Sequence, residues 1–525
     1  MSRVQNPVSR GFNPDPSIVR VGDEYLLATS TFEFHPAVRI HRSRDLVHWE
    51  VAGHALHDLD LQGVPDSGGV WAPSLSYADG EFWLAYSIVR SLDGDDKDVD
   101  NYLVTGPTAL GPWSDPVHLG SRGFDFSFFH DADGTHWIVG VRWDQRPDHP
   151  SFGGIVVEQY LPDERRTSGD AQLIHTAPGL IEGPNLYRFG EEYHLLLAAG
   201  GTGWNHGIVS ARADRLLGPY RADPSGDLLT TRDAPGLPLQ KAGHGELVQR
   251  PGGDWVLAHL ATRPTLHLGE RYGTLGRETC LQPVVVDEDG WLRLAHGGHH
   301  PVASFELAGT GGVATDPGEP VIPAASVWTE TFARIDDRRW STLRAPLGAA
   351  DLAARPGWMR LRGGHSTASV FAQSMLLTRV EEHDARLETV LDADPRSPRE
   401  AAGIIAWYDR QGWIWLQVTW DEENGRHLRI VRRDDRTTTR SAAVALPAGS
   451  VRLRAELRGP VLRFELADAD GVWRRVGEEQ PAWTLSDDHG PRLRFTGMFL
   501  GLRAEDLDSQ GWTADFGRTE VGFGC

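Results

Sequence analysis

Cysteine is almost missing from this chain: of 525 residues only Cys280 and Cys525 carry a thiol, with no metal-ligand spacing and no paired framework. That argues against a disulfide scaffold and is compatible with a reducing compartment. Long apolar runs are missing too. No stretch reads as a membrane-spanning helix, and the N-terminus, Met-Ser-Arg-Val-Gln-Asn-Pro-Val-Ser-Arg, lacks the apolar core of a signal peptide and the composition of a transit peptide. A cytoplasmic location is the resulting expectation. Excess positive charge is also missing: 52 lysines and arginines stand against 73 aspartates and glutamates, a formal net charge of −21 with no long acidic run. Nucleic acid and anionic membrane are therefore not expected as partners. Long helical periodicity is the last absence, and strand signals separated by Gly, Asp and Pro turns replace it.

What is present suits a turn-rich all-β protein of two or more domains, with 59 glycines, 33 prolines and 40% hydrophobic residues. The 19 tryptophans are many. Most are expected to fill strand cores, although the flat C–H faces of a sugar also stack on indole.

A short pattern recurs five times, at Asp15-Pro-Ser-Ile-Val, Ala72-Pro-Ser-Leu-Ser, Asp125-Phe-Ser-Phe-Phe, Gly183-Pro-Asn-Leu-Tyr and His244-Gly-Glu-Leu-Val, with 53 to 61 residues between heads. Each head leads a short apolar strand, a Gly/Asp turn and a second strand rich in aromatics. A period of this size with four strands per unit predicts a five-bladed β-propeller over residues 1–306. The Gly/Pro/Ala-rich stretch 307–326 reads as a linker. Residues 327–525 lose the period but alternate like strands, as in Ile404-Ile-Ala-Trp-Tyr and Val451-Arg-Leu-Arg-Ala-Glu-Leu, which suits a β-sandwich.

Equivalent positions of a propeller come round to one level of its central channel. Asp15, Trp71, Asp125, Glu182 and His244 stand at the heads or one residue before them, so three acids, an aromatic and a histidine are expected to converge. Two carboxylates across a cleft are the minimal machinery of glycosidic hydrolysis, and a third can raise the acid's pKa by repulsion. Asp15 lies between Pro14 and Pro16, a rigidity that suits a base aiming one water. Glu182, with the longer side chain, can reach a leaving-group oxygen. His244 is open to three readings: metal ligand, hydrogen-bond donor to substrate, or satisfied core histidine. Arg277 follows the last head and is a candidate for a sugar hydroxyl. Asp79-Gly80 and Asp133-Gly134 fall at turns, and Asp93 to Asp100 reads as a solvated polar loop.

The motifs Asn13-Pro-Asp-Pro-Ser-Ile, Thr29-Ser-Thr-Phe-Glu-Phe-His-Pro, Gly69-Val-Trp-Ala-Pro-Ser-Leu, Gly123-Phe-Asp-Phe-Ser, Glu182-Gly-Pro-Asn-Leu-Tyr, Gly200-Gly-Thr-Gly and Leu275-Gly-Arg-Glu-Thr resemble the family-43 glycoside hydrolases. The two-domain bacterial β-xylosidases are the nearest likeness, which extends through Phe495-Thr-Gly-Met-Phe and Ala514-Asp-Phe. The resemblance implies a propeller, a concanavalin-like jelly-roll sandwich and hydrolysis with inversion. It matches Asp15 to a general base, Glu182 to a general acid, and Asp125 to the residue tuning that acid. It places Phe32, Trp71, His244 and Arg277 around the sugar, with Phe495 and Phe499 closing the pocket from the sandwich; Phe126, next to Asp125, is a further candidate for substrate binding. It implies no required cofactor, and leaves open a calcium ion in the channel near His244.

Three departures from the family pattern stand out: Phe126 where proline commonly follows the aspartate, Asn185 where histidine is common, and Phe34-His-Pro-Ala in an altered aromatic run beside the expected pocket. The expected activity is release of xylose from the non-reducing ends of short β-1,4-xylo-oligosaccharides. An α-L-arabinofuranosidase, or an enzyme with both activities, is the alternative on the same scaffold. A retaining, invertase-like propeller is a further alternative, although its Arg-Asp-Pro pattern has no clear counterpart here. A non-catalytic carbohydrate-binding protein is the competing class. The expected partner is an oligosaccharide, imported by a transporter if the location is cytoplasmic, and a homo-oligomer is left open.

Overall fold

The computed structural model describes residues 3–92, 96–307, 316–371, 373–509 and 511–524. Five antiparallel sheets make the first half. Their innermost strands are Ser17–Val21, Gly69–Ala78, Ser127–His130, Ile181–Phe189 and Gln240–Gln249, which we number blades I to V. Each inner strand follows or contains one repeat head. Each turns back through a short hairpin; at Asp79-Gly80 both residues are left-handed, with φ of 54° and 82°, the geometry of a type I′ turn.

The ring closes where Arg3–Gln5 pairs with Ser304–Glu306. Asn6 stitches this seam: its amide nitrogen donates to the carbonyls of Leu281 and Val302, and its oxygen accepts the Leu281 N–H. The first strand after the ring begins at Ser326, one residue before the expected boundary. Residues 308–315 of the expected linker lie outside the described residues.

The second half is a sandwich of an eight-stranded and a seven-stranded antiparallel sheet. Asp384–Asp392 and Val451–Arg458 alternate buried with more exposed residues, so one face meets the core and the other faces outward. Glu400–Asp409 does not alternate: it is buried along almost its whole length. Ile404, Ala406 and Tyr408 enter the sandwich core, while Ile405 and Trp407 join a second core with Phe12, Phe32 and Phe34 of the propeller. The run Ile-Ile-Ala-Trp-Tyr is apolar throughout because both its faces are covered.

The propeller and the sandwich are also tied by polar contacts. Phe34–His35 forms a two-residue strand pair with Thr342–Leu343. Arg379 donates to the Phe12 carbonyl at 2.8 Å, and Arg263 bridges Glu278 to Glu382. Phe34 stacks on Phe499 at 4.1 Å between centroids. The altered aromatic run therefore faces the domain interface beyond Phe32, a correction to its expected place beside the sugar pocket. Among the described residues the helical segments are two short 3-10 turns, Pro162–Glu164 and Ala482–Thr484, and no helix is long and apolar enough to cross a membrane.

Candidate active site

The five heads share one backbone irregularity. Asp15, Ala72, Asp125, Gly183 and His244 all have positive φ, at 53°, 26°, 56°, 54° and 37°. For residues other than glycine this costs on the order of 1–3 kcal/mol each and persists only where the surroundings demand it. Pairing to the neighbouring strand slips at three of these places, between Trp71 and Ser74, Glu182 and Asn185, and Gly243 and Gly245. The kinks aim side chains at the ring axis, from the kinked residue at Asp15, Asp125 and His244 and from the residue before it at Trp71 and Glu182. Gly183 has a second reason to be glycine: a Cβ there would lie 2.9 Å from the His244 ring.

Eight predicted residues meet at one cavity of about 230 Å³: Asp15, Phe32, Trp71, Asp125, Glu182, His244, Arg277 and Phe495. Two do not. Phe126, next to the left-handed Asp125, packs into a core with Trp83, Ile138 and Tyr160 and does not line the cavity. Phe499 is fully buried behind Phe34 and Phe12, at the start of strand Phe499–Asp506. Both assignments to the sugar site are corrected accordingly.

Asp15 is held on three sides. Arg277 Nη1 donates to its Oδ1 at 3.0 Å, Ser30 Oγ donates to its Oδ2 at 2.6 Å, and His244 Nδ1 lies 3.8 Å from Oδ1. Burial alone would raise this carboxyl, but the Arg277 charge, His244 and the Ser30 hydroxyl together hold it below its ordinary value of 3.8. Glu182 goes the other way: burial first, then the negative charge of Asp15, pushes it up to about 7 against the pull of Arg277 and Lys97. Asp125 is raised as well, by burial and by the charges of Glu182 and Asp15, while its Oδ2 accepts the Gly183 N–H at 3.0 Å. Near neutral pH the site thus offers an ionised carboxylate and carboxyls that retain protons, facing one cavity.

The sandwich supplies one wall. The Phe495 N–H donates to Ser67 Oγ and its carbonyl accepts from Arg277 Nη2, both at 3.0 Å. The Ser67 carbonyl accepts from Trp71 Nε1 at 2.9 Å, and its N–H donates to Glu33 at 3.1 Å. The Trp71, Phe32 and Phe495 rings lie 5.5 to 6.2 Å apart by centroids, and the Arg277 guanidinium sits 5.6 Å from the Phe32 ring.

Sequence reasoning missed Ser30 and Ser67, together with Lys97, Phe124, Phe152, Leu180, Thr202 and Leu493 of the lining. Lys97 lies in the stretch read as a solvated loop, of which residues 93–95 fall outside the described residues; its Nζ is 3.9 Å from the Trp143 ring. One signal could have found it. The chain has just two lysines, Lys97 and Lys241. Lys241 is buried between Asp487 and Asp488 of the sandwich and the Trp204 ring.

The channel below His244 is lined by Ser17, Ser127, Asn185 and Glu246: Glu246 accepts the Ile18 N–H, Ser17 Oγ accepts the Leu75 N–H, Ser127 donates to the Pro184 carbonyl and Asn185 donates to Gly245. Among the described residues, the grouping of three donors close enough to share an ion is Asp233, His299 and His300.

A propeller with converging carboxyls, closed by a sandwich, defines a carbohydrate-cleaving class of protein. Residues 4–292 match the model of glycosyl hydrolases family 43, and residues 335–521 match the beta xylosidase C-terminal concanavalin A-like domain. The chain belongs to glycosyl hydrolase family 43 and is a glycoside hydrolase. It is 37% identical to the beta-xylosidase of Bacillus subtilis over 98% of each chain. It is also 37% identical to xylosidase/arabinosidase 43B of Humicola insolens, over 98% of this chain and 97% of the other. The crystal structure of xylan beta-1,4-xylosidase from Bacillus halodurans superposes with a TM-score of 0.92 at 41% identity, covering 99% of both chains.

Proposed function

We propose that this glycoside hydrolase releases xylose from the non-reducing ends of short β-1,4-xylo-oligosaccharides, with inversion at the anomeric carbon. One observation carries the reading: Asp15 and Glu182 face one cavity with their carboxyls shifted in opposite directions. Asp15, ionised, takes a proton from a water as that water's oxygen bonds to the anomeric carbon. Glu182 gives its proton to the glycosidic oxygen as the C–O bond breaks. Asp125 accepts the Gly183 N–H and so fixes the backbone next to Glu182, while burial and the negative charge of Asp15 keep that acid protonated. Arg277 and His244 supply donors for the sugar hydroxyls, and Phe32, Trp71 and Phe495 supply flat apolar walls for its C–H faces.

The names of the relatives support xylose, and the Humicola insolens relative, named for two activities, supports a second reading in which α-L-arabinofuranosides are also cut. A cytoplasmic site of action on imported oligosaccharides is in keeping with Cys280, a buried thiol free of any disulfide. Rates on nitrophenyl β-D-xylopyranoside and nitrophenyl α-L-arabinofuranoside test the choice. The xyloside is expected to give the higher kcat/KM; a clear preference for the arabinofuranoside would replace the first reading with the second.

A further inference from the structure

Outside the cavity, three metal-binding side chains converge without any part in the chemistry above. His299 Nε2 and His300 Nε2 each lie 2.9 Å from a different oxygen of one carboxylate, that of Asp233. Consecutive residues of extended chain would send their rings to opposite sides. Here the left-handed Gly297 and Gly298, with φ of 81° and 68°, turn the chain so that both rings reach one acid, 4.5 Å apart by centroids.

The backbone holding these rings is pinned. The Thr230 N–H, at the end of the outer strand of blade IV, donates to the His299 carbonyl at 2.8 Å. His296 Nε2 is 3.0 Å from the His300 carbonyl, and Val302, two residues on, exchanges hydrogen bonds with the Gln282 side chain. The donors therefore come from two segments already tied together: the loop after blade IV and the return segment that leads into the ring-closing strand.

We propose that Asp233, His299 and His300 form a binding site for a divalent cation of the zinc class, which staples the loop after blade IV to the closing segment of the propeller. Two imidazole nitrogens and one carboxylate suit zinc, cobalt or nickel and not calcium, which takes oxygen ligands. The three ligand atoms lie within 4.8 Å of one another. Ligands about 2.0–2.2 Å from zinc in a tetrahedral site stand roughly 3.3 Å apart, so only a small closure is needed. In the metal-free site each Nε2 donates its proton to Asp233. On binding, that proton moves to Nδ1 or, from a doubly protonated ring, leaves to solvent, so each Nε2 lone pair and the carboxylate turn to the cation and the two contacts to Asp233 give way to three bonds. Solvent completes the coordination, since Asp233 is exposed.

The test uses the full chain freed of metal with a chelator. Cobalt(II) chloride should give a visible d–d band that saturates at one equivalent, zinc chloride should abolish it, and calcium chloride should leave it unchanged. Zinc should raise the melting temperature. In H299A/H300A, and in the milder D233N, cobalt affinity should fall by roughly tenfold or more and the zinc-dependent rise in melting should vanish. Turnover of the nitrophenyl xyloside should stay at the wild-type level in both variants, because none of the three residues lines the cavity. Absence of the band in the wild type, or cobalt affinity in the variants equal to that of the wild type, overturns the proposal. Neither result bears on the glycosidase reading.

Discussion

The Phe495 N–H donates to the Ser67 hydroxyl at 3.0 Å, joining a sandwich residue to a propeller residue 428 positions earlier in the chain. Ser67 also accepts from the Trp71 indole through its carbonyl. One buried serine therefore sets the spacing of two cavity walls from different domains. We predict that Ser67→Ala, which leaves the Phe495 donor without its partner, costs about 1–3 kcal/mol. The cost should appear as a KM for the xyloside raised about fivefold or more, with kcat changed much less. An unchanged KM would show that the wall holds its place without Ser67.

The shifted carboxyls predict the pH dependence. Asp15, held below 3.8, stays ionised well into acid, so the acidic limb of kcat/KM should fall below that value. Glu182, pushed up to about 7, loses its proton there, so the alkaline limb should fall near neutrality. Glu182→Gln should abolish the alkaline limb and slow xylobiose cleavage by about 10²–10⁴-fold. Nitrophenyl xyloside should be affected less, since its leaving group needs little protonation. An alkaline limb that survives in this variant would assign the acid to another group.

Arg277 bridges Asp15 Oδ1 and the Phe495 carbonyl through two nitrogens of one guanidinium. Lysine keeps the charge but cannot span both acceptors. Arg277→Lys is therefore expected to lower kcat/KM about tenfold to a hundredfold, with the loss of a charge-assisted hydrogen bond of about 1.5–3 kcal/mol. It should also move the acidic limb upward, because Asp15 loses part of what keeps its pKa low. Steady-state kinetics across pH check both effects.

How much of this was legible in the sequence depended on local geometry. The five heads could be read because each blade makes the same kink at the same repeat position, so residue type and spacing carried the signal together. Phe126 was misread because it follows the left-handed Asp125, where strand alternation no longer tells which way the next side chain points. Phe495 and Phe499 could not be told apart, since both are aromatic, and only the irregular chain before strand Phe499–Asp506 brings the first into the cavity and leaves the second in the core. Ser67 was invisible, because its effect runs through a sandwich residue that no local pattern connects to it. Lys97 was hidden among aspartates, and charge runs are usually solvated.

Glu246 is half-buried in the channel, and loss of solvent around its carboxyl pushes it up to about 7 from an ordinary value of 4.5. The folded protein therefore binds this proton more tightly than the unfolded chain does. Its contribution to stability is intact below about 4.5 and is lost as pH rises to about 7. Glu246→Gln keeps an acceptor for the Ile18 N–H and removes the titration. The variant should melt higher than the wild type at pH 8, by up to about 2 kcal/mol of added stability, and should show little difference at pH 5. Melting curves at the two pH values check this, and an equal difference at both would contradict it.

The assignment of Asp15 as base and Glu182 as acid stands most directly on the stereochemistry of the product. Proton NMR on nitrophenyl β-D-xylopyranoside, recorded within the first turnovers and before mutarotation, reads which anomer of xylose forms first. Attack by a water held at Asp15 on the face opposite the leaving group predicts α-xylose first, with the β anomer growing in later. β-Xylose as the first product would contradict the account, because it requires a carboxylate nucleophile and a covalent intermediate.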